Sequence, residues 1–246
     1  MTYLELPTES SGRDPSAGCR SERGVAFYLA MEEYAARHLP PADYFFVWQV
    51  APSVIFGRNQ QMTSEVNVDY CQRHDIRMYR RKSGGGCVYA DEHNLMLSYV
   101  TADEMVGPVF NRFLQMILLV LRRLGIEATS TSHNDVLIAG CKVCGTAFYH
   151  LPGRSIVHST LLYDTNMDHM LAAITPSREK LQQHGVQSVR QRITLLKDYT
   201  SLTLDQLKDH IRQTLCDDCR QLTVAEVAAV EAIEQQYLKE EFIHLL

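Results

Sequence analysis

The sequence predicts a mixed α/β fold of the α+β type, a largely antiparallel sheet flanked by helices. Three observations predict it. Strand-like and helix-like runs are interspersed along the 246 residues. Several strand-like runs are joined by short polar or glycine-containing turns, which suit antiparallel pairing better than the long crossovers of a regular βαβ winding. No repeat, low-complexity tract or long linker divides the chain, so residues 1–246 read as a single domain.

Residues 8–24 are rich in Ser, Gly and Pro and read as a surface loop. Val25 to Leu39 has helical spacing at Val25, Leu29, Ala36 and Leu39, and Pro40 and Pro41 stop it. Tyr44–Val50 and Ser53–Phe56 read as buried strands, Asp69–His74 as a short helix, and Arg77–Arg81 as a strand running into Gly84, Gly85 and Gly86. Cys87–Tyr89 and Asn94–Val100, separated by a polar turn, suggest a hairpin. Pro108–Leu124 places Val109, Phe113, Met116, Ile117, Val120 and Leu124 on one helical face, with Gly125 as a stop. Three more strands follow at Asp135–Ile138, Lys142–Tyr149 and Ser155–Tyr163, then helices at Met167–Ile174, Leu204–Leu215 and Val224–Glu240.

Composition excludes several classes of function. Lys plus Arg is 24 and Asp plus Glu is 29, a net charge of −5, which argues against a protein that holds nucleic acid by neutralising phosphates. No apolar run approaches the ~20 residues of a membrane span. Met1–Glu9 has neither the basic head nor the apolar core of a secretion signal. Seven cysteines, an odd number, read as free thiols in a reducing, cytoplasmic setting.

The most informative stretch is Arg80-Arg81-Lys82-Ser83-Gly84-Gly85-Gly86-Cys87-Val88-Tyr89. Consecutive glycines let a backbone approach a ligand and present its N–H groups, and the three preceding cations suit an anionic partner. No Gly-Lys-Ser/Thr closes the run, and a strand rather than a helix follows, so it is neither a P-loop nor a dinucleotide fingerprint. Lys142, in a strand between Gly140 and Gly145, is either an edge residue or aimed at an anion. Taken alone, His158 reads as a structural histidine.

Taken together, these motifs resemble the lipoate–protein ligases. The resemblance rests on Arg-Arg-x-Ser-Gly-Gly-Gly-x-Val-Tyr at 80–89, then Asp91 and Asn94, Asn134-Asp135, Gly-x-Lys-Val-x-Gly-x-Ala at 140–147, and His-Ser-Thr-Leu-Leu at 158–162. Leu29-Ala30-Met31-Glu32-Glu33, Val54–Gln60 and Gly185–Thr194 agree in order. The resemblance implies a biotin/lipoate ligase-like catalytic domain. It implies two steps: lipoate and MgATP give lipoyl-adenylate, and the amine of an acceptor lysine then forms an amide. By position, Lys142 is the active-site lysine. Arg81, Ser83, Gly84, Gly85, Gly86, Cys87, Val88, Tyr89, Asn94, Asn134 and His158 bind substrate, and Asp135 contacts Mg²⁺. The implied partners are lipoyl domains of 2-oxoacid dehydrogenases or the glycine-cleavage carrier. Only Ser201–Leu246 follows the last matched motif. That is too short for the accessory domain many members carry, and a separate polypeptide is one way to supply it.

The sequence departs from the family pattern at Tyr28, Ala90, His93 and Cys144. Strand alternation puts Lys142 and Cys144 on one face, which places Cys144 beside the pocket. Alternation also sends Cys141 and Cys144 to opposite faces, against a zinc site shared with Cys216 and Cys219. Two other readings stay open. One is an ATP-independent octanoyl or lipoyl transferase working through a cysteine thioester. The other is a catalytically weak lipoate- or acceptor-binding module.

Overall fold

The structure is a computed structural model, and it describes residues 1–7, 23–131, 135–174 and 192–244. The strands are β1 (Thr2–Glu5), β2 (Tyr44–Trp48), β3 (Ser53–Phe56), β4 (Arg77–Arg80), β5 (Val88–Ala90), β6 (Asn94–Thr101), β7 (Ala128–Ser130), β8 (Asp135–Ile138), β9 (Cys141–Leu151), β10 (Arg154–Leu162) and β11 (Asp218–Gln221). The helices are α1 (Val25–His38), α2 (Met62–Glu65), α3 (Val68–Arg73), α4 (Val106–Arg123), α5 (Met167–Ala173), α6 (Leu204–Leu215), α7 (Val224–Tyr237) and α8 (Glu240–His244). The 8–24 loop of the sequence reading lies almost wholly outside the described residues.

Eight strands form one sheet in the order β11-β1-β2-β6-β10-β9-β8-β7, and three form a smaller sheet, β4-β3-β5. In the large sheet only β1 pairs in parallel, with β11 and with β2. All other pairs there are antiparallel, which is the expected architecture. Every residue of β6 is buried, because both faces of the central sheet are covered. On one face, Phe27 and Met31 of α1 and Val227 and Val230 of α7 pack against Phe46 and Met96. On the other, Val109, Phe113, Ile117 and Val120 of α4 and Leu207 and Ile211 of α6 pack against Phe45, Leu95, Leu97 and Val157. The small sheet covers a third cluster that includes Phe56, Tyr89 and Met170. Two helices start on capping boxes, Thr203 with Gln206 and Thr223 with Glu226, which satisfy end N–H groups reciprocally. No helix among the described residues is long and apolar enough to cross a membrane.

Two expectations need correction. The proposed 87–100 hairpin does not exist: β5 pairs with β3, whereas β6 enters the large sheet between β2 and β10. Asp91 makes the chain cross instead of turning back. Its buried carboxylate accepts from His93 N–H at 3.0 Å and Asn166 N–H at 2.9 Å, and its carbonyl accepts from Asn94 N–H at 3.1 Å. Separately, strand β1, which the sequence reading did not assign, pairs with β11 across more than two hundred residues. The last helix stops at Tyr237, and α8 folds back so that Ile243 C=O accepts from Arg80 Nε at 2.9 Å.

Phe113 is wholly buried between α4 and the sheet, and Phe113→Ala removes its packing and leaves a cavity. The expected cost is about 3–5 kcal/mol, read as a lowered urea midpoint with an unchanged slope.

Candidate active site

A cavity of about 130 Å³ opens between α1, the loop after β4 and the strands β9 and β10. Leu29, Trp48, Ile55, Val88 and Met96 supply an apolar lining, and Arg81, Lys142 and His158 supply the titratable side chains. Gly85, Gly86 and Cys87 form part of its rim. Lys142, Gly85 and Gly86 thus line one cavity.

The basic run before the glycines is not a set of free cations. Arg81 is buried, and its guanidinium is committed to the loop that follows it. Nε donates to Ser83 Oγ at 2.9 Å, Nη1 to Ile55 C=O at 2.9 Å, and Nη2 to the carbonyls of Gly84 at 2.7 Å and Gly86 at 2.6 Å. Burial lowers its pKa to about 10, partly opposed by Cys87 and Glu32. Arg80 is also buried. It donates to the carbonyls of Gly57, Arg58, Gln60 and Ile243 and lies over the Phe56 ring. Lys82 pairs with Glu33 at 2.6 Å and lies over Tyr237. Burial pushes the Glu33 pKa up, but Lys82, Arg37 and the Tyr237 hydroxyl outweigh it, and the net shift is downward.

The glycines are required by proximity. A Cβ on Gly57 would lie 2.2 Å from the Gly85 carbonyl oxygen, so two backbones touch at the base of the loop. Gly85 has φ +90°, and a Cβ there would meet Arg81 Nη2 at 3.0 Å.

Lys142 projects from the start of β9 with its side chain 40% exposed, and its Nζ pairs with Asp135 Oδ1 at 2.8 Å. A Cβ on Gly145 would come within 2.8 Å of Lys142 Nζ, so this glycine leaves room for the amine. Ile193 bridges to Lys142, and Thr194 N–H donates to its carbonyl at 2.9 Å. The end of the Gly185–Thr194 motif therefore lies beside the lysine; residues 185–191, and Asn134, lie outside the described residues.

The expectation for Cys144 is overturned. Val136 pairs with Cys144 but Leu137 pairs with Lys142, so a β-bulge at Val143 breaks the alternation. Val143 and Cys144 both enter the core beside Val136 and Ile138. Burial pushes the Cys144 thiol up to about 12, the reverse of what a nucleophilic thiolate needs.

Other residues singled out in the sequence sit elsewhere. Tyr89 is buried in the cluster under the small sheet and does not line the cavity. Asn94 is fully buried at the start of β6, where its side-chain oxygen accepts from the Thr165 hydroxyl. Ser83 is buried behind the loop, held by Arg81 and by His158 Nε2 at 2.8 Å.

Sequence reasoning missed Glu32 as a functional candidate. It is buried on α1, and its carboxylate meets His158 Nδ1 at 2.9 Å and Ser98 Oγ at 2.5 Å. Ser98 Oγ in turn accepts from Trp48 Nε1 at 2.8 Å. A charged residue among the apolar positions of a helix was the available signal, because such groups are rarely buried without partners.

A mixed sheet that carries a small-ligand cavity, with an arginine-braced glycine loop facing a lysine, defines a small-molecule catalytic domain. The pattern of the family described as lipoyl protein ligase A/B catalytic domain matches residues 25–216, and the chain belongs to that family. It is 33% identical over 189 residues to the lipoate-protein ligase LplJ of Bacillus subtilis, covering 74% of this chain and 56% of that protein. It is 34% identical over 191 residues to lipoate–protein ligase 1 of Staphylococcus aureus, covering 76% of this chain and 58% of that protein. The chain thus spans a little over half the length of these relatives. Its fold matches a bipartite lipoate protein ligase from Thermoplasma acidophilum, studied with its E2 lipoyl domain, at a TM-score of 0.82 and 24% identity. That match covers 99% of this chain and 95% of the other. A lipoate-protein ligase A bound with ATP matches at 0.78 with 25% identity, over 90% of this chain and 94% of that one.

Two outcomes test this geometry. Gly57→Ala forces the loop away from β3 and is expected to cost about 1–3 kcal/mol, read as a lowered Tm. The high thiol pKa keeps Cys144 protonated up to about pH 12, whereas an unfolded cysteine ionises near 8.5. Stability from this group is therefore present below about pH 8.5 and lost as pH rises. Alkylation at pH 8.5 followed by peptide mass spectrometry should leave Cys144 unmodified in the folded chain and modified in urea.

Proposed function

We propose that this chain is the catalytic part of a lipoate–protein ligase. It activates lipoate with ATP to lipoyl-adenylate and transfers the lipoyl group to a lysine of a lipoyl domain. The observation that carries the reading is Lys142 facing the braced glycine turn across an apolar-lined cavity, in a chain of this family. The carboxylate-for-ATP chemistry draws support from the ligase relatives and from the ATP-bound neighbour. A lipoyl-domain acceptor, and a second polypeptide as partner, draw support from the bipartite Thermoplasma protein and its E2 lipoyl domain.

In the first step a carboxylate oxygen of lipoate attacks the α-phosphorus, the bond to pyrophosphate breaks, and lipoyl-adenylate forms. Two anions must approach each other, so the site's task is charge neutralisation and alignment. Lys142 does this by leaving Asp135 for the carboxyl and α-phosphate oxygens. Arg81 acts from beneath. With the carbonyls of Gly84 and Gly86 bonded to its guanidinium, they do not repel an incoming anion. Gly85, Gly86, Cys87 and Val88 form the rim against which the adenylate lies. Leu29, Trp48, Ile55 and Met96 take the aliphatic acyl chain.

Mg²⁺ fits this site as a companion of the triphosphate, since the ion commonly binds through one or two carboxylates plus substrate phosphates. Asp135 is the carboxylate in reach of the lysine, and the ion would supply charge neutralisation at the phosphates. In the second step the neutral amine of the acceptor lysine attacks the acyl carbon, AMP leaves, and the amine proton departs as the amide forms. No enzyme-bound acyl group is needed, in keeping with the buried Cys144. The six described cysteines form no disulfide, which suits a cytoplasmic setting.

Incubation of the chain with lipoate, ATP, Mg²⁺ and an apo lipoyl domain should add one lipoyl mass to the acceptor and release pyrophosphate. Lys142→Ala should lower adenylation about 10²–10³-fold, the size of a lost electrostatic donor. Acyl transfer from an octanoylated carrier without ATP would favour the transferase instead. Acceptor mass gain at the full rate in Lys142→Ala would overturn the role given to the lysine.

A further inference from the structure

Two hydrogen-bond chains that start on opposite walls of the cavity end on one carboxylate. From the loop, Arg81 Nε donates to Ser83 Oγ at 2.9 Å, and Ser83 Oγ lies 2.8 Å from His158 Nε2. An ionised Glu32 carboxylate can only accept, so His158 Nδ1 carries a proton, and in the neutral ring Nε2 is left to accept the Ser83 hydrogen. Nδ1 donates to Glu32 Oε2 at 2.9 Å and lies 3.1 Å from Oε1. From the floor, Trp48 Nε1 donates to Ser98 Oγ at 2.8 Å, and Ser98 donates to Glu32 Oε1 at 2.5 Å. Every donor in both chains therefore points toward Glu32.

We propose that Glu32 is a positioning residue for adenylate formation, setting the glycine loop through His158–Ser83–Arg81 and the acyl floor through Ser98–Trp48. The argument rests on acceptor capacity. A carboxylate accepts at both oxygens, so it ends both chains without conflict. Glutamine has the same shape but one oxygen: with that oxygen at the Oε1 position the NH₂ stands 2.9 Å from His158 Nδ1, donor against donor, and with it at Oε2 the NH₂ faces the Ser98 hydroxyl. One chain then has to reverse or break, and a buried donor left without an acceptor is costly. The neighbouring Glu33 plays no part here, because it is occupied by Lys82, Arg37 and Tyr237.

This inference deepens the ligase reading and rests on it. Trp48 is the one tryptophan in the chain, so its fluorescence reports the floor arm directly. The experiment measures lipoate-dependent pyrophosphate release, Trp48 emission and Tm for the parent chain, Glu32→Gln, Ser83→Ala and Ser98→Ala. Ser83→Ala is expected to lower kcat more than it raises the KM for lipoate, with Trp48 emission unmoved. Ser98→Ala is expected to shift Trp48 emission and raise the KM for lipoate more than it lowers kcat. Glu32→Gln is expected to do both, with kcat reduced at least tenfold and a Tm that leaves the chain folded at the assay temperature. Should Glu32→Gln fail to fold, the two serine variants decide: distinct KM and kcat patterns support the two arms, and identical patterns overturn them. A folded Glu32→Gln whose kcat and emission stay within threefold and unshifted overturns the assignment alone. A parent chain that releases no pyrophosphate overturns the ligase reading itself.

Discussion

The site is organised around one buried guanidinium. Taking a cation out of water costs several kcal/mol unless every donor finds a partner. Arg81 offsets that cost by bonding through all three of its nitrogens, to Ile55, Ser83, Gly84 and Gly86, most of them in the loop that begins at its own position. The loop is therefore shaped by the residue that precedes it. The carbonyls of Gly84 and Gly86 turn to the arginine, whose Nη2 crowds any Cβ at Gly85, while the Gly85 carbonyl closes on Gly57. A tripeptide of glycine would otherwise be among the most mobile segments of a chain, since each glycine loses the most freedom on ordering.

The other two cations of the run bind the C-terminal helices to the same loop. Arg80 reaches Ile243 in α8, and Lys82 meets Glu33 together with the Tyr237 hydroxyl of α7. Residues 217–244 lie beyond the segment matched by the family pattern, yet they hold the strand and loop that form the cavity rim. Helix α7 also packs along α1, the helix that carries Glu32 and Leu29. Loop, first helix and last helices thus form one mechanical unit.

Much of this was legible in the sequence, and the illegible parts share a cause. Helices α4 and α6 announce themselves by periodic apolar residues that face one core. The glycine loop and Lys142 stood out because their residue types have few other uses in such a pattern. The β-bulge at Val143 left no trace, because strand alternation is a local rule and the bulge is set by pairing with β8. Strands β1 and β11 are short edge or near-edge elements that pair with each other across the whole length of the chain. The fate of the basic run was hidden for the same reason. Ile243, which holds Arg80, and Tyr237, beneath Lys82, are separated from the run by about 150 residues or more, whereas Arg81 bonds mainly the loop that follows it.

These placements divide the cations of the cavity into a fixed one and a movable one. Unseating Arg81 would strand buried carbonyls and a buried charge, a penalty of several kcal/mol. Lys142 is held by one half-exposed ion pair with Asp135, and such pairs contribute about 0–1 kcal/mol. An arriving anion can therefore exchange with Asp135 at little cost, while the loop it lands against stays in place. Gly145 keeps the space through which the amine moves, since a methyl group there would lie 2.8 Å from Nζ. The proposed adenylation calls for this pairing, because the ground state must release its cation readily and the reacting geometry must be preorganised. Had the roles been reversed, with the lysine buried and the arginine exposed, substrate binding would have had to meet the cost of breaking the loop.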